Sequence, residues 1–112
     1  LTLDSSSALT AVPDAIRDEI MQLCAYYLLR AKRGHAPLDP VARFHLANGA
    51  RLARLNWGGD VSSAGIASSL GITANYVYRM TDVEQNHEAY ATDFKVMASF
   101  SLERLAREVK TA

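Results

Sequence analysis

The sequence predicts an α+β domain whose sheet is incomplete. Residues 11–33 and the stretch beyond about residue 81 carry apolar side chains at helical spacing, and only two short segments, 41–46 and 73–79, read as strands. Helices separate those strands, and two short strands make too little sheet to stand alone. They are therefore read as the edge of a larger sheet, and the chain, which begins with Leu1, as a fragment of a longer protein.

Bulk properties narrow the classes. The chain has 112 residues, 49% of them hydrophobic, enough for one globular unit with a modest core. Twelve Lys and Arg balance twelve Asp and Glu, whereas DNA-binding domains draw most of their affinity from a basic excess. Cys24 is the only cysteine and lies in an apolar helical run, so it is read as a small buried hydrophobe. No apolar run approaches the roughly 18–20 residues of a membrane span. Nothing has the form of a signal peptide, and a cytoplasmic location is expected.

Taken in order, residues 1–10 are Ser-rich and read as a linker or loose lead-in, and 11–112 as the domain segment. The helix over 11–33 is predicted by Ile16, Ile20, Leu23 and Tyr27, which form one stripe. Pro13, Asp14, Asp18 and Glu19 suit its start, Arg30, Lys32 and Arg33 its end, and Gly34 its stop. Residues 35–40 read as a loop, broken by Pro37 and Pro40. Val41–Leu46 reads as a strand on the strength of Phe44 and Leu46, although alternation is imperfect. Asn48-Gly49 invites a hairpin, but Leu52 and Leu55 stand three apart, which favours a short helix over 50–56. Asp60 or Ser62 caps a helix over 62–70, and Gly71 ends it. Residues 73–80 can be a strand or a recognition helix. "TDVE", 81–84, has capping-box form, and Tyr90, Phe94, Met97, Leu102, Leu105 and Val109 predict one final helix.

Chemistry-bearing residues are sparse. His35 sits in the Pro-rich loop and reads as solvated, and His87 as a cap or an exposed side chain. His45 differs, since it stands within the predicted strand beside a glycine turn, a place suited to proton transfer. There is no HExxH, paired CxxC, GxSxG elbow or phosphate-binding glycine loop. Helix-turn-helix spacing does occur: Ala67, Gly71 and Val77 fall at its positions, with Ile66, Leu70 and Ile72 at the packing places. Such a module would use residues 62–80, with Tyr76 and Arg79 reaching bases, and would require 73–80 to be helical.

Three stretches settle the reading differently. "DPVARFHLANGARLARLNWGGD", "GIASSLGITANYVYRM" and "NHEAY", in that order, resemble the C-terminal part of the malonyl-CoA decarboxylases. The likeness runs from about Tyr26 to Tyr90, anchored on "FHLANGA" with "LNW" after it and on "ANYVY". It implies a catalytic domain with an acyltransferase-like (GNAT) mixed sheet flanked by helices, its first half lying before Leu1. It also implies decarboxylation of malonyl-CoA to acetyl-CoA and CO2, with the thioester as electron sink and no metal or organic cofactor. The family's catalytic histidine falls on His45 and a tyrosine near its active site on Tyr78. Asn48 belongs to the motif, as a substrate contact or only as the former of the turn. The partner serine of the family matches no position here. The implied partners are malonyl-CoA and the remainder of the same enzyme, in a homo-oligomer, with neither nucleic acid nor membrane. The ending "KTA" lacks a peroxisomal "SKL" address, which suits a bacterial cytoplasmic form. An acyltransferase-like domain that binds acyl-CoA without decarboxylating it is the remaining alternative, because one fold hosts many functions.

Overall fold

The computed structural model describes residues 9–109. Helix α1 (Asp14–Arg30) is followed by a two-residue hairpin, β1 (Lys32–Arg33) and β2 (Ala36–Pro37), then by α2 (Pro40–Ala47) and β3 (Arg51–Asn56). After these come α3 (Ser63–Ser69), β4 (Thr73–Val77), α4 (Val83–Asp93), β5 (Met97–Ala98) and α5 (Phe100–Arg107). The larger sheet has the order β4-β3-β5, with β4 antiparallel and β5 parallel to β3. Its outer strands offer unpaired backbone edges among the described residues. The α+β class and small sheet are as the sequence predicts. Of the expected lead-in, residues 1–8 lie outside the described residues. Leu9 and Thr10 are already helical, and the Val12 N–H donates to the Leu9 carbonyl at 3.2 Å.

The helix and strand expected over 41–56 are exchanged. Residues 40–47 are helical because Asp39 stands at the N-cap, its carboxylate accepting from the Ala42 N–H at 2.9 Å, and Pro40 takes the first helical position with its φ already set. Ala42 and Leu46, four apart, are fully buried. Residues 51–56 are a strand in spite of the three-residue spacing of Leu52 and Leu55. The register with β4 runs Leu52 to Tyr76 and then Arg54 to Asn75, so Ala53 is an extra residue in a β-bulge. The bulge returns both leucines to the core side. A spacing that suggests a helical face is thus produced by a strand with one residue too many.

Other boundaries shift for local reasons. The helix over 11–33 ends at Arg30, and Gly34, with φ +64°, opens the two-residue turn of the β1–β2 hairpin instead of stopping the helix. The single final helix is two, because Phe94 adopts the left-handed conformation at the end of α4 and Met97–Ala98 pair with β3 before α5 begins. The capping box at 81–84 does not form: Asp82 occupies the N-cap of α4 without a side-chain hydrogen bond to the helix. The short helix α3 behaves as predicted. Ser62 Oγ accepts from the Gly65 N–H at 3.0 Å, and Asp60 Oδ1 in turn accepts from the Ser62 hydroxyl at 2.6 Å.

The core joins Ala25, Leu28 and Leu29 of α1, Ala42 and Leu46 of α2, Leu52 and Leu55 of β3, and Leu102 and Ala106 of α5. Helices α1 and α5 run antiparallel. Arg30 meets Glu103 at 2.6 Å at one end, and the Gln22 amide donates to Glu108 at the other. The α1 residues predicted to be buried face outward instead: Ile16, Leu23 and Tyr27 are 49%, 57% and 40% exposed. Ile20, Leu23 and Tyr27 line an open groove of about 770 Å³ shared with Val41, Leu70 and Tyr76. No helix among the described residues is long and apolar enough to cross a membrane.

Candidate functional site

His45 is in the last turn of α2, not in a strand. The helix continues for two residues, then Asn48 caps it, and Gly49 turns the chain into β3 with φ +94°. The backbone carbonyl of His45 accepts from Asn48 N–H at 3.2 Å and from Ala50 N–H at 3.1 Å, so the residue is tied into the turn. Helix α4 secures the turn from outside. The buried Asn86 side chain donates to the Gly49 carbonyl at 3.2 Å, and His87 Nδ1 donates to the Ala47 carbonyl at 2.8 Å. Val83 lies so close to Gly49 that a Cβ there would overlap its carbonyl oxygen. The glycine in "NGA" is therefore required twice, for its left-handed backbone and for the close approach of α4.

The other half of the site comes from β4. Residues two apart on a strand share a face, so Tyr76 and Tyr78, just past the strand end, both point toward α2. His45 Nδ1 and Tyr78 Oη share a hydrogen bond of 2.7 Å across 33 residues of sequence. Tyr76 lies flat against the imidazole, ring centroids 4.6 Å apart and planes 18° from parallel. Phe44 meets the same ring edge-on at 5.2 Å. Burial pushes the Tyr76 phenol far above its usual range, and the carboxylate of Asp39 and then Cys24 add to the effect. The Cys24 thiol is raised as well, first by burial and then by Asp39. Cys24 packs half-buried against the core, in line with its reading as a small hydrophobe.

Of the residues singled out in the sequence, the structure brings His45 and Tyr78 together. Asn48 is close in the chain, but its side chain donates to the Phe44 carbonyl at 2.6 Å and so serves its own helix end. His35 is exposed and stacks on Phe94 at 5.3 Å. Tyr76 was assigned by sequence only to a DNA-reading role. That role fails, because 73–77 is a strand paired with β3 and no recognition helix exists there. The signal that could have found Tyr76 is the alternation in "YVY", which puts it on the face of Tyr78 once the segment is a strand.

The molecule is thus an α+β segment with an open-edged sheet that presents a histidine–tyrosine pair at one strand end. A family model for the malonyl-CoA decarboxylase C-terminal domain matches residues 3–112, and the chain belongs to that family. Curated relatives agree. The mitochondrial malonyl-CoA decarboxylase of Anser anser anser is 49% identical over 86 residues, which are 76% of this chain and 17% of that protein. The mitochondrial enzyme of Rattus norvegicus is 43% identical over the same length. Solved structures of malonyl-CoA decarboxylase from Rhodopseudomonas palustris and Cupriavidus metallidurans superpose with TM-scores of 0.80 and 0.78 at 40% and 42% identity. They cover 91% and 90% of this chain, which spans 26% of each of them. The chain therefore spans about a sixth of the curated relatives and about a quarter of the solved ones.

Proposed function

We propose that this chain supplies the histidine-bearing part of an enzyme that decarboxylates malonyl-CoA. The observation that carries the reading is the 2.7 Å hydrogen bond between His45 and Tyr78, at the two positions the family resemblance marks. Heterolysis of the bond to the carboxylate releases CO2 and leaves its electron pair on the thioester as an enolate. That enolate needs stabilisation and then one proton on carbon. In the imidazolium form, His45 donates Nδ1–H to Tyr78 Oη and delivers the Nε2 proton to carbon. The neutral imidazole left behind keeps its bond to Tyr78 and regains a proton from water. Malonyl-CoA and one proton become acetyl-CoA and CO2. The thioester accepts the electrons, so the chemistry asks for no metal or organic cofactor.

The same reading places the open edges of β4-β3-β5 within a larger acyltransferase-like sheet completed by the rest of the enzyme. It is supported by the bare strand edges and by relatives about four times as long. The cytoplasmic location and homo-oligomeric state expected of the whole enzyme belong to the same proposal, whereas the curated relatives are named mitochondrial. The test is release of labelled CO2 from malonyl-CoA by the full-length enzyme and by its His45→Ala form. Loss of one general acid predicts a fall of roughly 10²–10⁴-fold in kcat with the protein still folded. Undiminished turnover by the variant removes His45 from the reaction.

A further inference from the structure

The hydrogen bond to Tyr78 restrains the imidazole at Nδ1, but Tyr78 is itself 45% exposed and can follow a turning ring. Rotation about the bond from Cβ to the ring would carry both Nδ1 and Nε2 from their places. Terminal torsions of this kind are broad, so the side chain does not set the angle itself. What opposes rotation is the near-parallel ring of Tyr76 at 4.6 Å. Phe44 is a poor brace, being 64% exposed and a neighbour on the same short helix. Tyr76 is a firm one. It stands opposite Leu52 in the β3–β4 register, Leu52 is fully buried, and the Tyr76 ring packs against the core cluster. Its backbone is fixed by the sheet and its ring by the core cluster. The phenol stays protonated, so the stacked face carries no charge that would compete with an anionic substrate.

We propose that Tyr76 is a positioning residue for decarboxylation, its ring setting the plane of the His45 imidazole and so the direction of the proton on Nε2. The inference rests on the reading of His45 as the acid. Its expected signature is in the chemical step and not in binding, because a misdirected proton donor slows turnover while leaving the contacts to CoA in place.

The experiment uses the full-length enzyme and kcat per folded protein, comparing Tyr76→Leu, Tyr76→Phe and His45→Ala. Misplacement of a catalytic group predicts that Tyr76→Leu lowers kcat roughly ten- to a hundredfold. KM should change by less than about threefold. Tyr76→Phe keeps the stacked ring and should restore kcat to within about threefold of the parent. If Tyr76→Leu does not fold, Tyr76→Met carries the same comparison. An unaltered kcat in Tyr76→Leu or Tyr76→Met overturns the proposal. So does an equal fall in Tyr76→Phe, which would mean that the hydroxyl, not the ring, is what matters. A KM rise at constant kcat overturns it too. Full turnover by His45→Ala would instead remove the acid–base reading on which positioning depends. A dead His45→Ala beside a normal Tyr76→Leu removes positioning alone.

Discussion

Two junctions in this chain are built to the same local plan and end in different surroundings. In each, a short helix passes through a glycine of positive φ into a strand: α2 through Asn48 and Gly49 into β3, and α3 through Leu70, itself left-handed, and Gly71 into β4. The first is clamped. Asn86 and His87 hold its carbonyls, Val83 closes over Gly49, and Leu46 beside it is buried. The second is more open. The nearby Asp60 N–H donates to the Gly71 carbonyl at 3.1 Å, but Leu70 is half exposed and lines the groove between α1 and β4. The clamped junction carries His45 and the open one leads to Tyr76 and Tyr78. The difference teaches that the local motif makes the turn, while the firm hold around His45 is added by an element distant in sequence.

Exchanging the two glycines for alanine gives the sharpest contrast. Gly49→Ala meets both a positive φ and a backbone carbonyl that cannot move away without α4. It should cost about 2–4 kcal/mol in urea unfolding of the full-length enzyme and should lower turnover with it. Gly71→Ala meets Ile66 and Leu9 side-chain methyls at 3.0 Å, which can shift, and the Asp60 carbonyl oxygen only at 3.1 Å, and should cost about 1–2 kcal/mol with turnover nearly kept. Equal losses at both sites would dissolve the distinction between clamped and open.

The next effect is at the clamp itself. Asn86→Ala leaves the Gly49 carbonyl without the donor it has, and a buried unsatisfied group predicts a loss of about 1–3 kcal/mol. His87→Ala removes a bond on an exposed side chain and should cost well under that. If both variants keep the stability and kcat of the parent, α4 does not secure the turn.

The smallest effect lies at the open junction. Hydrogen bonds from the Ser62 hydroxyl and backbone N–H hold the Asp60 carboxyl below its ordinary range. A lowered folded-state pKa means that Asp60 stabilises the fold above its unfolded pKa. That contribution is lost as pH falls through the folded value. Because Asp60 is solvent-exposed, the slope should be slight, and Asp60→Asn should flatten it in thermal unfolding scanned between about pH 5 and 2. A steeper acid loss in the variant would contradict the sign.

Much of this arrangement is legible in the residues, and the illegible part has identifiable causes. The residues of 73–80 alone leave strand and helix open, whereas the cap at Ser62 and the stop at Gly71 follow from local chemistry that tertiary packing leaves intact. The exchange of helix and strand over 41–56 does not, because the bulge at Ala53 gives β3 a helical spacing and Pro40, seen as a breaker, starts a helix. The two-residue β5 is invisible without its partner: Met97 and Ala98 are strand only because β3 lies beside them. The outward stripe of α1 misleads for another reason. Its predicted apolar stripe lines the groove while a different face, formed by Ala25, Leu28 and Leu29, meets the core. His45 stands out by its place beside the glycine turn as well as by resemblance, Tyr78 by resemblance alone, and no spacing in the sequence pairs positions 33 apart. Tyr76 became visible only when the imidazole was seen against its ring.

The extra residue in β3 also bears on how this stretch can vary between relatives. A strand repeats every two residues, so a chain lacking Ala53 would set Leu52 and Leu55 two apart, on one face of a plain strand without the bulge. A one-residue gap at this point therefore keeps both leucines toward the core. What the bulge adds is local twist, and a relative without it would hold its counterpart of Tyr76 against a flatter strand.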